Sequence, residues 1–339
     1  MKIEFDYYPP VPVTEGPRAS GRALGESRPL TDVLLCAPAY LEPVPCCSVT
    51  RESLRNGFAT SRSAAARQHT ALREALCASG VTCHSLPPEP GLPDLAFTRD
   101  VAVATPWGLV ALNPALGHRS VEVDHFVDWA RRHAEGPVAR IRGGRIEGGD
   151  VCIARPGLLI VGVSGTRTDE DGAEAFAARF RMEGWDVLIC PFDEHFLHLD
   201  TIFCMLDEDR ALACLDALDD GFLEAVARRG IELLPVAYKD SRRLGCNVLS
   251  VDGRRIVAGS ATPRVTATLR RHGYEVAEVE LDQFSACGGG VHCLTMPLAR
   301  REIRALGESD GSDRMLAPAP WDGLDNRRTA LAGRNAHCR

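Results

Sequence analysis

The chain has 339 residues, 45% hydrophobic and 25% charged, with a formal charge of −7, the balance of a globular protein with a sizeable core. The acidic excess argues against a nucleic-acid or anionic-membrane partner, and no apolar run approaches the roughly 18–20 residues of a membrane helix. Met1–Gly16 has no secretory apolar region, so the expected compartment is the cytoplasm.

Residues 1–30, rich in Pro, Gly, Arg and Ser, predict an arm that is either poorly ordered or wrapped on the surface. A single domain is expected over 31–307, followed by a flexible tail over 308–339. Between the ends one unit recurs: apolar strands, an amphipathic helix, a closing strand. The first has a strand at 32–36, a helix at 61–78 and a strand at 81–86. The second has strands at 100–104 and 108–112 and a helix at 121–133. The third has strands at 151–154, 158–163 and 186–190, with a helix at 170–183. The fourth has strands at 201–206, 211–215 and 231–235, with a helix at 221–229. The fifth has strands at 246–250, 255–258 and 275–279, with a helix at 263–272. Five such units predict an α/β fold of ββαβ modules set around an axis, because a unit that cannot bury its own apolar face must stack on neighbours.

The thirteen cysteines are scattered, with only Cys46 and Cys47 adjacent and no C-x-x-C pair. Most are expected to be small buried hydrophobes, and structural zinc is not expected. One differs in setting. Gly288-Gly289-Gly290-Val291-His292-Cys293 strips the approach to Cys293 of side chains. A reactive thiol needs a base or cation nearby and a proton donor for the leaving group.

Three further motifs fall at strand starts. Arg99 and Asp100 precede an apolar strand and read either as an ion pair or as a functional pair. Glu147-Gly148-Gly149-Asp150 precedes another, an acid–glycine cluster of a kind common in turns. In His195-Phe196-Leu197-His198-Leu199-Asp200, a strand would put His198 and Asp200 on one face. That pair is open to three readings: structural, metal-binding or acid–base. His195 is expected to be exposed or structural.

The four motifs, in this order over about 200 residues, resemble the guanidino-group-modifying enzymes, the superfamily of arginine deiminase, dimethylarginine dimethylaminohydrolase and the amidinotransferases. The resemblance implies a five-bladed pseudo-symmetric α/β propeller, the pentein fold. It implies that Cys293 attacks a guanidinium carbon, that His198 with Glu147 moves the proton, and that Asp100 and Asp200 hold guanidinium nitrogens, with Arg99 beside them. The segment Gly162–Thr168 resembles the deiminase segment whose arginine grips the substrate carboxylate, which implies that role for Arg167. The implied activity is hydrolysis of arginine or an arginine-like amino acid to citrulline through a covalent amidino-enzyme. Transfer of the amidino group to an amine, with release of ornithine, is the alternative, and a binding-only protein stands behind both. No cofactor or metal is implied, and a homodimer would be unsurprising. Val101 stands where deiminases usually have proline, and their helical insertion is missing, which implies a compact core like that of the small hydrolases.

Overall fold

The computed structural model describes residues 5–12 and 18–301, so the expected tail at 308–339 lies outside the described residues. The chain forms five separate mixed sheets, four of three strands and one of four. The third shows the pattern. Val151–Arg155 pairs antiparallel with Leu158–Val163, which runs parallel to Asp186–Pro191 after the crossover helix Glu170–Met182. The middle strand, Leu-Leu-Ile-Val-Gly-Val, is buried almost throughout, as expected of a strand covered on both faces.

The sequence punctuates the units in a regular way. Ser61 and Asp169 cap helices Arg62–Ala78 and Glu170–Met182, accepting from the N–H of Ala64 (3.4 Å) and Gly172 (2.8 Å). Pro263 opens the last crossover helix, Pro263–Arg271. Four crossover helices close on one motif, a glycine of positive φ at Gly80, Gly184, Gly230 and Gly273. The residue after each, Val81, Trp185, Ile231 or Tyr274, returns its N–H to a carbonyl five residues back. That bond stops the helix and turns the chain into the closing strand.

Several expectations need adjustment. The second helix starts at Gly117, and its sheet gains Val138–Ile141 as a closing strand. The first sheet takes its outer strand from the far end of the chain: Met296–Arg300 pairs antiparallel with Leu30–Cys36. Residues 98–101 and 199–201 are 3₁₀ turns, not strands. Local hydrogen bonds favour the turn, as Thr201 Oγ1 bonds back to His198 O at 2.7 Å.

The described part of the N-terminal arm is built into the molecule. Phe5–Tyr8 adds the fourth strand to the second sheet, pairing with Val138–Ile141. Farther on, Ala23, Glu26 and Leu30 donate backbone bonds to Thr105, Ile153 and Val251, which belong to three different sheets or their turns.

Each sheet is preceded by a buried polar residue one to three positions before its first strand: Asp100, Asp150, Asp200, Asn247 and Cys293. Hydrogen bonds join these five lead-ins in a closed ring. Asp100 Oδ1 accepts from Gly149 N (3.0 Å), and Asp150 Oδ1 accepts from Leu199 N (2.8 Å). Asn247 Nδ2 donates to Asp200 O (3.3 Å), while Asn247 Oδ1 accepts from Cys293 N (3.3 Å). Arg99 N donates to Cys293 O at 3.2 Å and completes the circuit. Gly148 sits inside this ring, where an added methyl would collide with the carbonyl of Arg99. Gly148→Ala is therefore expected to cost about 3 kcal/mol in urea unfolding, against near-neutral substitutions at exposed loops.

Candidate active site

The lead-in turns and the glycine run enclose a small cavity lined by Cys293, Asp100, His198, Arg119, Arg167 and Cys46, among others. It has about 20 Å³ open to a water-sized sphere, so a larger ligand requires its walls to part.

Cys293 lies at its base, 2% exposed. Asn247 Nδ2 donates to its Sγ at 3.1 Å, and Sγ lies 3.5 Å from Asp200 Oδ2. Burial, then Asp200 and Asp100, push the thiol well above its ordinary pKa, so it is neutral. The glycines before it are fixed by space: a Cβ at Gly290 would lie 2.6 Å from Asn247 Oδ1, and one at Gly149 2.7 Å from His198 Nδ1.

His198 is fully buried, and its Nε2 bonds Glu147 Oε2 at 2.7 Å. Burial favours the neutral ring, but Asp100, Asp150 and Glu147 outweigh it and lift its pKa to about 10. It is thus a protonated acid near neutral pH. Its Nδ1, 3.6 Å from Asp100 Oδ1, has no hydrogen-bond partner within the described residues. Glu147 is held well below the usual carboxylate range: burial opposes ionisation, but the bond to His198 and the cations of His198, Arg167 and Arg119 prevail. Its Oε1 accepts from Ala115 N at 3.0 Å.

Arg167 reaches the cavity wall, with NH1 3.4 Å from Glu147 Oε2 and NH2 donating to Cys46 O at 3.1 Å. Asp100 is held by Arg119, whose NH1 donates to Oδ2 at 2.7 Å. Arg119 also binds Glu122 and the carbonyl of Phe97, so it is a buried cation with several anchors.

The structure therefore gathers Cys293, His198, Asp100 and Arg167 around one cavity, with Glu147 behind His198. Asp200 approaches the thiol from the other side, on a second small cavity shared with His292 and Glu26. Arg99 does not reach the first cavity. A buried guanidinium needs a carboxylate, and Arg99 finds Glu26 (NH1 to Oε1, 3.3 Å), while its Nε donates to His292 O (3.4 Å). His195 is exposed. His292, which strict strand alternation would turn away, lies in a turn, and its Nδ1 bonds Asp200 Oδ2 at 2.8 Å.

Sequence reasoning missed Asn247, Arg119 and Glu26, and gave Asp150 of the Glu147–Asp150 motif no role of its own. Asn247 had a signal: Cys246-Asn247-Val248 repeats the pattern of Arg99-Asp100-Val101 and Gly149-Asp150-Val151. Arg119, two residues before the helix expected at 121–133, had none. Asp100, Glu147 and His198 offer ligand atoms within 4.8 Å of one another. A metal ion there would face the Arg119 and Arg167 guanidiniums already paired to two of them, so the donor set suits a ligand with its own hydrogen-bond donors better than a bare cation.

The Asn247 contact is open to test. Asn247→Asp replaces a donor at the sulfur with a charge that opposes ionisation. The pH midpoint of Cys293 alkylation by iodoacetamide should rise by about one unit or more, read by peptide mapping.

The family model for N,N dimethylarginine dimethylhydrolase, eukaryotic, matches residues 49–300. An uncharacterised Bacillus subtilis protein, YkgA, is 29% identical over 278 residues, 80% of this chain and 93% of its own. N(G),N(G)-dimethylarginine dimethylaminohydrolase of Pseudomonas aeruginosa is 26% identical, covering 68% of this chain and 87% of that one. Arginine deiminase of Rhodococcus erythropolis is 30% identical, with 62% and 60% covered. Among solved structures, the N-terminal domain of ArgZ, a cyanobacterial arginine dihydrolase bound to product, superposes with a TM-score of 0.70 at 22% identity, over 79% of this chain and 97% of that one.

Proposed function

The chain belongs to the dimethylarginine dimethylaminohydrolase family within the pentein superfamily, and from that premise we propose that it is a cysteine-dependent hydrolase of arginine or an N-substituted arginine, releasing citrulline. The five sheets are read as the blades of a propeller, with the ring of lead-ins at its axis. One observation carries the chemical reading: Cys293 shares a cavity with Asp100 and His198, and its Sγ lies 3.5 Å from Asp200 Oδ2, so burial and then the two carboxylates oppose its ionisation.

Such a thiol reacts slowly until a cation arrives. A guanidinium is planar and carries forked donors, so one carboxylate on each side can fix its orientation by charge-assisted hydrogen bonds. Bound there, it neutralises both carboxylates and favours the thiolate, whose proton leaves to solvent. Sulfur then attacks the guanidinium carbon and a C–S bond forms. His198 gives its proton to the departing nitrogen, the C–N bond breaks, and ammonia or an alkylamine leaves. Water attacks the amidino carbon, His198 takes up its proton, and the C–S bond breaks to return the thiolate and citrulline. Glu147 fixes the orientation of His198 throughout and favours its charged form before it gives up the proton and after it regains one. Arg167, and Arg119 beside it, are the cavity cations available to an α-carboxylate.

Incubation with arginine, N-methylated arginines and agmatine, with and without an added amine, tests this by mass spectrometry of the products. Citrulline supports hydrolysis, and ornithine with an amidinated amine supports transfer. Cys293→Ala is expected to abolish turnover, and retention of full turnover removes the covalent mechanism. Arg167→Ala should raise KM for arginine about tenfold more than for agmatine; equal effects remove its carboxylate role.

The pH profile follows from His198. The reaction needs its protonated form, and its pKa is raised to about 10. Activity should persist through pH 8–9 and fall as pH rises through about 10. An alkaline limb near the ordinary histidine pKa of about 6.5 would show that the pKa of His198 is not raised in the working enzyme.

A further inference from the structure

Asp200 has one oxygen engaged and one free. Oδ2 accepts from His292 Nδ1 at 2.8 Å and lies 3.5 Å from Cys293 Sγ. Oδ1 is buried and has no hydrogen-bond partner within the described residues. An unpaired buried carboxylate oxygen is costly and is relieved by a ligand that donates to it. Whatever sets the rotation of the carboxylate decides where that oxygen is offered.

His292 sets it. An ionised carboxylate only accepts, so Nδ1 is the donor. The backbone of His292 is fixed on both sides: its N–H donates to Asn247 Oδ1 at 3.0 Å, and its carbonyl accepts from Arg99 Nε at 3.4 Å. The far edge of the ring, Nε2, faces Glu26 Oε2 at 3.5 Å. Glu26 is anchored in turn, with Arg99 NH1 3.3 Å from Oε1, Arg300 NH2 3.9 Å from Oε2, and its own N–H on Ile153 O at 2.8 Å. Burial raises its carboxyl pKa, but Arg99, His292 and Arg300 more than reverse that and hold it ionised. Gly25 lets the arm approach this closely, since a Cβ there would lie 3.2 Å from Arg155 Cα. Glu26 also precedes the residues matched by the family model, 49–300.

We propose that Glu26 and His292 are a positioning pair for the guanidine site: Glu26, carried inward by the N-terminal arm, fixes the plane of the His292 ring, and His292 turns Asp200 so that Oδ1 meets an N–H of a guanidinium held at Cys293. This rests on reading the site as one for guanidines. Arg99 acts two steps away, as the cation that holds Glu26.

The test uses the full-length protein and the guanidinium ion itself as probe. It measures how millimolar guanidinium protects Cys293 from iodoacetamide, located by peptide mapping. Wild type is expected to be protected. In Glu26→Ala and His292→Leu the concentration for half-protection should rise about tenfold, whereas Glu26→Gln and His292→Asn, which keep an acceptor and a donor in place, should stay within about threefold. Thermal melts establish that each variant is folded. If Glu26→Ala does not fold, Glu26→Asp, which withdraws the charge by one methylene, is expected to show the same loss. Unchanged half-protection in the folded variants, or no protection of the wild type, overturns the proposal. Because protection does not require turnover, a protein that binds guanidinium as described but yields no citrulline overturns the proposed activity and leaves the pair standing.

Discussion

The structure depends on a ring of hydrogen bonds among five sheet lead-ins. Each sheet begins at a buried polar residue, and each such residue, or its immediate neighbour, is bonded to the next lead-in around the circuit. Buried polar groups must find partners, and each bond of this circuit crosses from one unit to another. The arrangement makes the centre of the molecule polar while the strands behind it stay apolar. The same position carries Asp, Asp, Asp, Asn and Cys in the five sheets: Asp100, Asp150 and Asn247 join the circuit through their side chains, while Asp200 and Cys293 join it through their backbone and keep their side chains for the site.

That divergence creates the electrostatics of the cavity. Three aspartates, with Glu147, put negative charge around one thiol and one imidazole. The effect on the two is opposite. The imidazole is driven to its charged form and the thiol to its neutral form, because a negative surround favours whichever protonation state is the more positive. Arg119 and Arg167 offset part of the charge and fix the carboxylates in place. A cationic, planar ligand would complete the balance; an anion or a metal ion would meet the wrong partners.

The N-terminal arm has more weight than its composition suggests. A stretch rich in Pro, Gly and Arg reads as an irregular surface segment, yet it donates backbone bonds to three sheets and places Glu26 behind His292. Composition reports that a segment cannot form a regular element by itself. It says nothing about whether a pre-existing groove will hold it.

Much of the molecule was legible in the sequence. The crossover helices and most strands follow from apolar periodicity and, for four of those helices, from the Gly that ends them, which are local signals. The candidate nucleophile stood out because Gly288–Gly290 removes side chains where a ligand must approach, and the Glu147–Asp150 and His198–Asp200 motifs were visible as polar residues opening apolar strands. What the sequence could not supply were partners. Arg119 lies in the first turn of a helix expected to start only at residue 121, and it becomes the anchor of Asp100 only because two elements meet. The partners of Arg99 and His292 were hidden for the same reason: the first pairs with Glu26 and the second with Asp200, at separations of 73 and 92 residues. The sequence by itself determined the repeating unit and the chemical groups, since both are written in short-range pattern. Only the tertiary structure decided which charge faces which, because those contacts exist only once the ring of lead-ins has closed.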